Sequence, residues 1–275
     1  PIVGTNHFHP DNLLHYLKLS KENTGYKVLK KAMWVYFRRV YNYASIITVP
    51  TKTAADIVHS VGVTPLVRII SNGLDLELFK RREVLEDVFG GYGIDPAVPR
   101  VLTVGRVEKE KRVDVLIEAI SRMHKGSAQL IIVGKGKEEA ALKKLAKERG
   151  ILNRCVFIGA MPNNELYKFY CTSDIYTSAS EVELQGLSIM EAMAYGLPIV
   201  AANSMAIPEL VRDQVNGLLF TPGDARDARK KIDALINDAP LRNKMASASL
   251  RLIQDHNFEK TLDAFEEVYD LAKKQ

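Results

Sequence analysis

The stretch Glu183-Leu-Gln-Gly-Leu-Ser-Ile-Met-Glu191 decides the fold of this chain, together with the run Ala-Met-Ala-Tyr-Gly-Leu-Pro-Ile-Val-Ala that follows it. Residues 175–177 read as a short strand, so the predicted order is strand, loop, glycine, helix, glycine–proline break and strand. Gly186 lets a ligand approach the backbone where the helix begins, and a helix N-terminus attracts anions. Open α/β sheets bind ligands beyond the carboxyl ends of their strands. We therefore expect Glu183, in the loop, and Glu191, about one turn inside the helix, to face one pocket.

The two glutamates and their surroundings resemble the E-x7-E signature of retaining GT-B glycosyltransferases of family 4. The resemblance implies that Glu183 lies at the donor sugar and Glu191 at the nucleotide ribose. Gln185, Gly186 and Leu187 lie between them and are implied to line the donor site. The spacing alone is typical of an exposed loop glutamate and a surface helix glutamate. The internal glycine and leucine and the following Glu-Ala-Met-Ala-x-Gly-x-Pro favour the glycosyltransferase interpretation.

The composition is typical of a soluble globular chain with enough apolar residues for a core, and 275 residues allow two domains. The sequence has neither an apolar run of the roughly 20 residues that span a bilayer nor a signal peptide pattern. Cys155 and Cys171 lack metal-ligand spacing, so we expect buried free thiols in a reducing, cytoplasmic compartment. A net charge of +5 allows an acidic ligand or an anionic surface, and we expect no nucleic acid partner.

The first residues, 1–5, read as a buried strand with nothing before it, so we expect the sequence to be the C-terminal part of a longer protein. His7 and His9 follow this strand and could bind a metal, but no third ligand is evident. A loop before a helix capped by Asp11 or Asn12 is the alternative. The resemblance implies that a histidine here faces the donor sugar, and His7 matches that position better than His9. The run Thr-Asn-His-Phe-x-Pro-x-Asn is most similar to members that glycosylate diacylglycerol-type lipids.

Residues 13–43 are predicted to form one or two helices with a strongly basic face. Leu29, Met33, Trp34 and Phe37 recur at helical spacing. A basic helix with an aromatic face is typical of an interfacial membrane segment, which predicts peripheral contact with the inner face of an anionic membrane. The alternative is a core-facing stripe with a solvated basic back. Against the single acid Glu22, the cations of this segment are Lys18, Lys21, Lys27, Lys30, Lys31, Arg38 and Arg39.

The rest of the first part contains strand-like segments at 45–49 and 65–70 and a predicted helix at 51–60. The next phrase, Ser71-Asn-Gly-Leu-Asp-Leu-Glu-Leu-Phe79, resembles the family's Pro-Asn-Gly-Val-Asp-x-x-x-Phe, with serine in place of proline. In the family this phrase ends the last strand of the first domain.

From residue 100 onwards, predicted strands and helices alternate regularly. This alternation indicates a parallel sheet that is covered on both faces. Strands are predicted at 100–104, 128–133, 154–158, 174–177, 198–202 and 217–220. Helices are predicted at 113–123, 137–148, 164–172, 187–195, 206–212, 224–236, 239–254 and 258–273.

A glycine and two cations follow the first of these strands: Gly105, Arg106 and Lys111. Glycine lets the chain turn, and arginine and lysine together suit a diphosphate whose charge must be neutralised as it leaves. A solvated basic loop is the alternative. The pattern resembles the family's Gly-Arg-Leu-x-x-x-Lys-Gly, although Arg112 stands where glycine is usual.

Two later turns are also implied to touch the nucleotide. Gly134 belongs to a Gly-x-Gly that family members carry near the nucleotide, although such glycines are often structural. Met161 follows the third strand, where the family places the base, and core packing is the alternative. The sequence contains no Walker motif, no Gly-x-Ser-x-Gly and no Asp-x-Asp, so we expect neither cofactor nor metal. Arg106, Lys111 and helix ends would supply the positive charge.

The sequence therefore predicts an α/β protein of GT-B type. Residues 1–82 are interpreted as the C-terminal half of an acceptor-side Rossmann-like domain, 83–99 as a linker and 100–256 as the donor-binding domain. Residues 257–275 are interpreted as a helix that crosses back to the first domain. The expected activity is transfer of a hexose from a UDP- or GDP-sugar to a lipid or carbohydrate hydroxyl with retention of configuration. A nucleotide-sugar binding fragment without transfer activity and a GT-B nucleotide-sugar epimerase are the alternatives.

Overall fold

The computed structural model describes residues 1–14, 23–80, 84, 89–124 and 126–274. The predictions for Lys18, Lys21 and Glu22, and for most of 81–88, lie outside the described residues. The chain divides into two compact units. The first unit comprises Pro1–Asp75, Val182–Gln185 and Asp255–Gln275, and the second unit comprises Leu76–Glu181 and Gly186–Gln254.

The first unit has a three-stranded parallel sheet in the order β1-β2-β3. Its strands are β1 (Val3–Thr5), β2 (Ile46–Val49) and β3 (Leu66–Ile69), and its first helices are α1 (Pro10–Leu14), α2 (Thr24–Tyr41) and α3 (Lys52–Ser60). Every residue of β2 is buried, as expected of a central strand covered on both faces.

Polar side chains fix where the helices of the first unit begin and how they meet. The Asn23 side chain accepts a hydrogen bond from Gly25 N (2.7 Å), which caps α2. Asp11 Oδ1, in α1, accepts from the hydroxyl of Tyr26 (2.8 Å) and pairs with Lys30 Nζ (2.7 Å). Lys30, one of the cations of the predicted basic face, therefore joins α2 to α1.

The second unit has a six-stranded parallel sheet in the order β6-β5-β4-β7-β8-β9. Its strands are β4 (Arg100–Val104), β5 (Gln129–Val133), β6 (Cys155–Gly159), β7 (Ile175–Ser178), β8 (Ile199–Ala202) and β9 (Gly217–Phe220). Its helices are α4 (Val113–Ser121), α5 (Glu139–Glu148), α6 (Asn163–Thr172), α7 (Leu187–Ala194), α8 (Ile207–Leu210), α9 (Ala225–Asn237) and α10 (Ala239–Leu252).

The core of the second unit lies where α4 and α9 cover the central strands. Leu116, Ile117 and Ile120 of α4 are fully buried, as is Ile232 of α9. Burying side chains of this size contributes about 1.5–3 kcal/mol each, so the strands they cover form a rigid base for the loops at their ends.

The strand order of the second unit reverses between β4 and β7. The loops that follow these two strands leave the same edge of the sheet in opposite directions, and a crevice forms between such loops. The parallel α/β fold predicted from the alternation is confirmed. Helix α8 differs most from its predicted bounds, 206–212. It ends at Leu210, where the buried side chain of Asn216 donates to the Leu210 carbonyl (3.1 Å) and accepts from Arg212 N (2.8 Å).

The last helix, α11 (Phe258–Lys273), belongs to the first unit. The Asn257 side chain accepts from Glu259 N (3.0 Å) and caps it. Val268 and Ala272 are buried in one apolar cluster with Ile46 of β2. Within the described parts of the chain, no helix is both long and apolar enough to cross a membrane. The acceptor-side and donor-side roles assigned to the predicted domains stay predictions.

Candidate functional site

The loop after β4 is held by two glycines of the neighbouring strand's loop. A Cβ atom on Gly134 would lie 1.8 Å from the carbonyl oxygen of Gly105, and one on Gly136 would lie 2.0 Å from that of Val107. The backbones are also joined by a hydrogen bond from Val107 N to the Lys135 carbonyl (3.0 Å). Only glycine allows this approach, so Gly134 and Gly136 position the loop that carries Arg106.

Arg106 is held by a buried carboxylate. Its Nη2 donates to Glu110 Oε1 at 2.9 Å, and the Glu110 side chain is only 4% exposed while that of Arg106 is 54% exposed. The guanidinium is thus fixed on one side and accessible on the other, which pre-positions a donor for an anion. Glu110 is not among the site residues predicted from the sequence. The available signal was an acid four residues after the arginine, at helical spacing.

Glu110 also connects the two loops of the crevice. Its carbonyl oxygen accepts a hydrogen bond from Glu181 N (3.1 Å), and Glu181 lies in the loop after β7. The Glu181 carbonyl in turn accepts from the hydroxyl of Ser204 (2.9 Å), which follows β8. The loops beyond three neighbouring strands are therefore linked at one edge of the sheet.

Arg112 shows why the family has glycine at its position. Its φ of 49° is in the left-handed region, which costs an ordinary residue energy and costs glycine little. Its guanidinium is bidentate on Asp114 (3.1 Å from both Nε to Oδ1 and Nη2 to Oδ2) and pairs with Glu181. Hydrogen bonding to Asp114 raises the pKa of Arg112. The two carboxylates balance the charge of Arg112, and these ion pairs hold the loop next to Lys111 in place. The Lys111 side chain is half-buried.

Helix α7 begins after a glycine in the left-handed region. Gly186 has a φ of 87°, and its carbonyl accepts from Ile189 N (3.0 Å) in the first turn. Leu187 is exposed at 46%. The hydroxyl of Ser188 accepts from Tyr176 of β7 (2.7 Å), which fixes the first turn against the strand.

Glu191 lies in the middle of α7 and is hydrogen-bonded by a buried tyrosine. The hydroxyl of Tyr170, in α6, donates to Glu191 Oε2 at 2.7 Å. Burial raises the pKa of Glu191 above the ordinary glutamate value, and the Tyr170 hydrogen bond acts in the opposite direction. Glu191 is therefore a half-buried acceptor in a defined orientation.

Met161 follows β6 and is half-buried. The Gly159 carbonyl at the end of β6 accepts from Gly134 N (2.8 Å), so this turn is attached to the loop that supports Arg106. The assignment of Met161 to the base pocket stays a prediction.

His7 belongs to the first unit and is exposed at the end of β1. The neighbouring Asn6 is buried, and its side-chain oxygen accepts from Phe8 N and from the Tyr41 hydroxyl, both at 2.9 Å. Although the His7 side chain reaches the surface, partial burial of its ring lowers its pKa, which favours the neutral imidazole. His9 is buried and accepts from Asp11 N (3.3 Å), so it serves the fold at the start of α1.

The segment 182–185 also belongs to the first unit and is attached by its backbone and by Gln185. The Leu184 carbonyl accepts from the Thr51 hydroxyl (2.8 Å). The Gln185 amide donates to Ser71 Oγ (2.5 Å) and accepts from Asn72 N (3.1 Å). Ser71, the residue that replaces the family's proline, thus receives a hydrogen bond from Gln185. Glu183, two residues before Gln185, is half-buried.

The predicted site residues are distributed over both units. His7, Glu183 and Gln185 belong to the first unit. The expectation that the two glutamates face one pocket stays a prediction. Among the described residues, no group of three or more His, Cys, Asp or Glu side chains is placed to hold a metal ion. The second unit carries the remaining predicted residues, Gly105, Arg106, Lys111, Gly134, Met161, Gly186, Leu187 and Glu191.

One cavity of the second unit is separate from this edge. It measures about 430 Å³ and is lined by Tyr195 and Gly196, which precede β8, and by Asn243 and Leu250 of α10. Because these residues lie at the amino end of β8, the cavity is not part of the crevice beyond the carboxyl ends.

Comparison with known proteins relates the whole chain to glycosyltransferases. Sulfoquinovosyl transferase SQD2 of Arabidopsis thaliana is 30% identical over 230 residues, which cover 80% of this chain and 43% of that protein. Alpha-monoglucosyldiacylglycerol synthase of Streptococcus pneumoniae is 25% identical over 272 residues, which cover 96% of this chain and 60% of that protein. The chain thus spans about half the length of the curated relatives it matches.

A solved structure and two family models complete the comparison. HepE from Anabaena, in complex with UDP-glucose, is similar with a TM-score of 0.81 and 22% identity over 98% of this chain and 72% of that chain. The fold is that of the GT-B glycosyltransferases. Residues 1–78 match the model of Glycosyltransferase Family 4, and residues 86–251 match that of Glycosyl transferases group 1. Since the latter match covers more than half of the sequence, the chain belongs to the group 1 glycosyl transferases.

Proposed function

We propose that this chain transfers a hexose from a nucleoside-diphosphate sugar to an acceptor hydroxyl and retains the configuration of the anomeric carbon. The observation that carries the proposal is the ion pair between Arg106 and the buried carboxylate of Glu110, which is followed by Lys111. It lies in the loop after β4, where the strand order of the second unit reverses. Membership of the group 1 family supports it.

Arg106 and Lys111 are proposed to bind the diphosphate. Negative charge on the phosphate grows as its bond to the sugar breaks, so a fixed arginine stabilises the transition state more than the ground state. Glu110 holds the guanidinium in advance, and no reorganisation is then needed at the moment of reaction. These charges and the N-terminus of α7 replace a metal in the proposed mechanism, which uses no cofactor.

The nucleoside is proposed to lie along the same edge. Glu191 accepts hydrogen bonds from the ribose hydroxyls, Gly105 and Gly134 keep side chains away from the nucleotide, and Met161 packs against the base. The similarity to HepE, solved with UDP-glucose, supports UDP as the nucleotide. Gly186 and Leu187, at the start of α7, are proposed to contact the sugar end of the donor.

Glu183, Gln185 and His7 are proposed to act on the sugar of the donor. Glu183 fixes the hydroxyls of the sugar, and Gln185 fixes the backbone of the segment that carries Glu183. His7 contacts the sugar as a neutral imidazole. The acceptor oxygen bonds to the anomeric carbon on the face that the diphosphate leaves. The bond from that carbon to the phosphate oxygen breaks, and the departing phosphate takes the proton of the acceptor. Such a reaction requires no protein nucleophile.

The acceptor is proposed to be a lipid at the inner face of a membrane. Similarity to two relatives, a sulfoquinovosyl transferase and a monoglucosyldiacylglycerol synthase, supports a glycolipid product. Helix α2 supports peripheral contact with anionic lipid, because Tyr26 is its one buried residue and exposed cations alternate with exposed apolar side chains. This basic surface of α2 comprises Lys27, Val28, Lys31, Val35, Tyr36, Arg38, Arg39 and Val40.

The first test is thermal unfolding of the chain with UDP, GDP and ADP, with and without their sugars. A ligand that binds only the native state adds about 2.7 kcal/mol at a hundredfold excess over its dissociation constant. We expect a stabilisation with UDP that Arg106→Ala abolishes. No stabilisation by the nucleotide in any of these six conditions would contradict the proposal.

Product analysis separates the alternatives. We expect NMR of the product to show the anomeric configuration of the donor, and chelation of divalent metal to leave the rate unchanged. Stabilisation by nucleotide without transfer to any diacylglycerol or sugar acceptor would favour a binding fragment. Conversion of the nucleotide sugar without an acceptor would favour an epimerase.

A further inference from the structure

Tyr170 is held in place by aromatic rings on both sides. It is 1% exposed, its ring stacks on that of Tyr195 (centroids 5.1 Å apart, planes at 14°) and also on that of Tyr176 (6.1 Å, 27°). Stacked rings of this kind restrict the position of the phenol oxygen. A buried hydroxyl must also find a hydrogen-bond partner, because an unpaired buried donor is destabilising.

The partner of this hydroxyl is the carboxylate of Glu191. The distance from Tyr170 Oη to Glu191 Oε2 is 2.7 Å, while that to the Ser188 carbonyl is 3.4 Å, so the carboxylate is the main acceptor. Burial raises the pKa of Tyr170 well above its ordinary value, and the phenol therefore stays a donor. In the described part of the chain, Oε1 of Glu191 accepts no hydrogen bond.

This contact determines what Glu191 can offer a ligand. Burial favours a neutral carboxyl group, which would carry its own proton. The Tyr170 hydrogen bond favours the charged form instead and fixes one oxygen, so the other presents lone pairs in a defined direction. A ribose offers two neighbouring hydroxyl donors, and a charged carboxylate is the acceptor that suits them.

We infer that Tyr170 is a positioning residue for ribose recognition, which orients the Glu191 carboxylate toward the 2′- and 3′-hydroxyls of the nucleotide. The inference rests on the proposed contact between Glu191 and the ribose. It assigns to Tyr170 a part in distinguishing ribonucleotides from nucleotides that lack these hydroxyls. A tyrosine that only joined α6 to α7 would affect both kinds of nucleotide equally.

The test measures dissociation constants of UDP, GDP and ADP, each beside its 2′,3′-dideoxy counterpart, by calorimetry. For the nucleotide that binds, we expect the wild-type chain to prefer the ribose form. Tyr170→Phe keeps the stacked ring and removes the hydroxyl, and we expect it to weaken binding of the ribose form about tenfold and of the dideoxy form by less than about twofold. Adding Tyr170→Phe to Glu191→Gln should change the preference no further.

Tyr176→Phe is the matched control. It removes another buried hydroxyl from the same group of rings, one that donates to Ser188 Oγ and not to Glu191. We expect it to keep the wild-type ratio of ribose to dideoxy affinity. Equal loss for both nucleotide forms in Tyr170→Phe, or no loss, would overturn the inference and leave Tyr170 as a structural brace.

A measurement on the unaltered chain keeps the inference testable if Tyr170→Phe does not fold. With ring-labelled tyrosine, the Cζ resonance that Glu191→Gln displaces most identifies Tyr170, and it should shift on addition of the ribonucleotide but not of the dideoxy form. A shift with both forms would overturn the inference. If the wild-type chain binds the ribose and dideoxy forms equally, the inference and the proposed contact between Glu191 and the ribose are both wrong, but the proposed function is not affected. If the wild-type chain binds none of the three nucleotides, the proposed function is contradicted as well.

Discussion

Arg106 is the residue on which the proposed chemistry depends most. Replacing it by alanine removes a donor that Glu110 holds in position, and the loss is felt mainly in the transition state, where the leaving phosphate carries most charge. We expect kcat/KM for sugar transfer to fall by an amount equivalent to about 2–4 kcal/mol. Lys109→Ala removes an exposed cation of the same loop and should leave kcat/KM within about twofold. Unaltered turnover in Arg106→Ala would refute the assignment.

Gly134 is required by contact as well as by conformation. A Cβ atom there would lie 1.8 Å from the Gly105 carbonyl oxygen, and φ is 139°. We expect Gly134→Ala to lower the free energy of unfolding by about 2–4 kcal/mol in urea denaturation. Gly105→Ala is the matched control for stability, because φ is 147° and nothing lies within 4 Å of the added carbon. Equal losses in the two variants would show that the close approach contributes nothing.

Glu191 should make the unliganded chain less stable as the pH rises. Burial raises its pKa in the folded chain, so the folded state holds the proton more tightly than the unfolded state. The stabilisation is present at low pH and is lost as the pH rises from the ordinary glutamate pKa through the raised one. Glu191→Gln removes this titration. We expect the unfolding free energy of wild type minus that of the variant to fall across this range, and a level or rising difference would contradict the expectation.

At the scale of the elements, alternation and turn signals were sufficient to predict the order of strands and helices from residue 100 onwards, because each element depends mainly on neighbours in sequence. They did not predict where α8 ends. Three features of the site depend on how separate segments pack and were not predictable from local pattern. Gln185 meets Ser71, which is 114 residues away, and Tyr170 meets Glu191 across two different helices. For Glu110, the sequence shows only that it lies four residues after Arg106. Its burial, which makes it a fixed partner for the guanidinium, depends on how the sheet packs and is not visible in the sequence.

The hydrogen bond between Ser71 and Gln185 should couple the contributions that two segments of the first unit make to the free energy of unfolding. Ser71→Ala leaves the amide nitrogen of the buried Gln185 side chain without this acceptor, so we expect it to cost about 1–3 kcal/mol of stability. Gln185→Ala removes one hydrogen bond from the half-buried Ser71, which keeps His256 as a partner (2.8 Å), and the loss of that hydrogen bond should cost about 0.5–1.5 kcal/mol. The double variant should lose less than the sum of the two, by about 1 kcal/mol. Ser60→Ala, which removes an exposed hydroxyl bonded to the Ile57 carbonyl, should be nearly neutral and additive with Gln185→Ala. Additive losses for Ser71 and Gln185 would contradict the coupling.

At the scale of the whole molecule, the sequence motifs indicated the family, and the family match and the parallel sheets agree with them. The motifs did not indicate how the basic helix is used, because an amphipathic pattern fits both a core-facing helix and an interfacial one. In the structure α2 exposes most of its length, with Val28 at 63% and Tyr36 at 65% exposed. Lys30 is paired with Asp11, so part of the positive charge of α2 is used within the fold.

The basic surface of α2 should bind anionic vesicles through its exposed cations and its apolar side chains together. Each cation near an anionic leaflet contributes about 1 kcal/mol, and salt weakens the attraction. We therefore expect the chain to float with phosphatidylglycerol vesicles but not with phosphatidylcholine vesicles. Reversing Lys27, Lys31 and Arg39 to glutamate should abolish this binding and leave nucleotide binding intact, because α2 belongs to the first unit and Arg106 to the second.

Reversing Lys144, Lys147 and Lys230, three exposed cations of the second unit, makes the same change in net charge and should leave vesicle binding largely intact. Equal losses in both triple variants would mean that net charge, and not this helix, attracts the chain to the membrane.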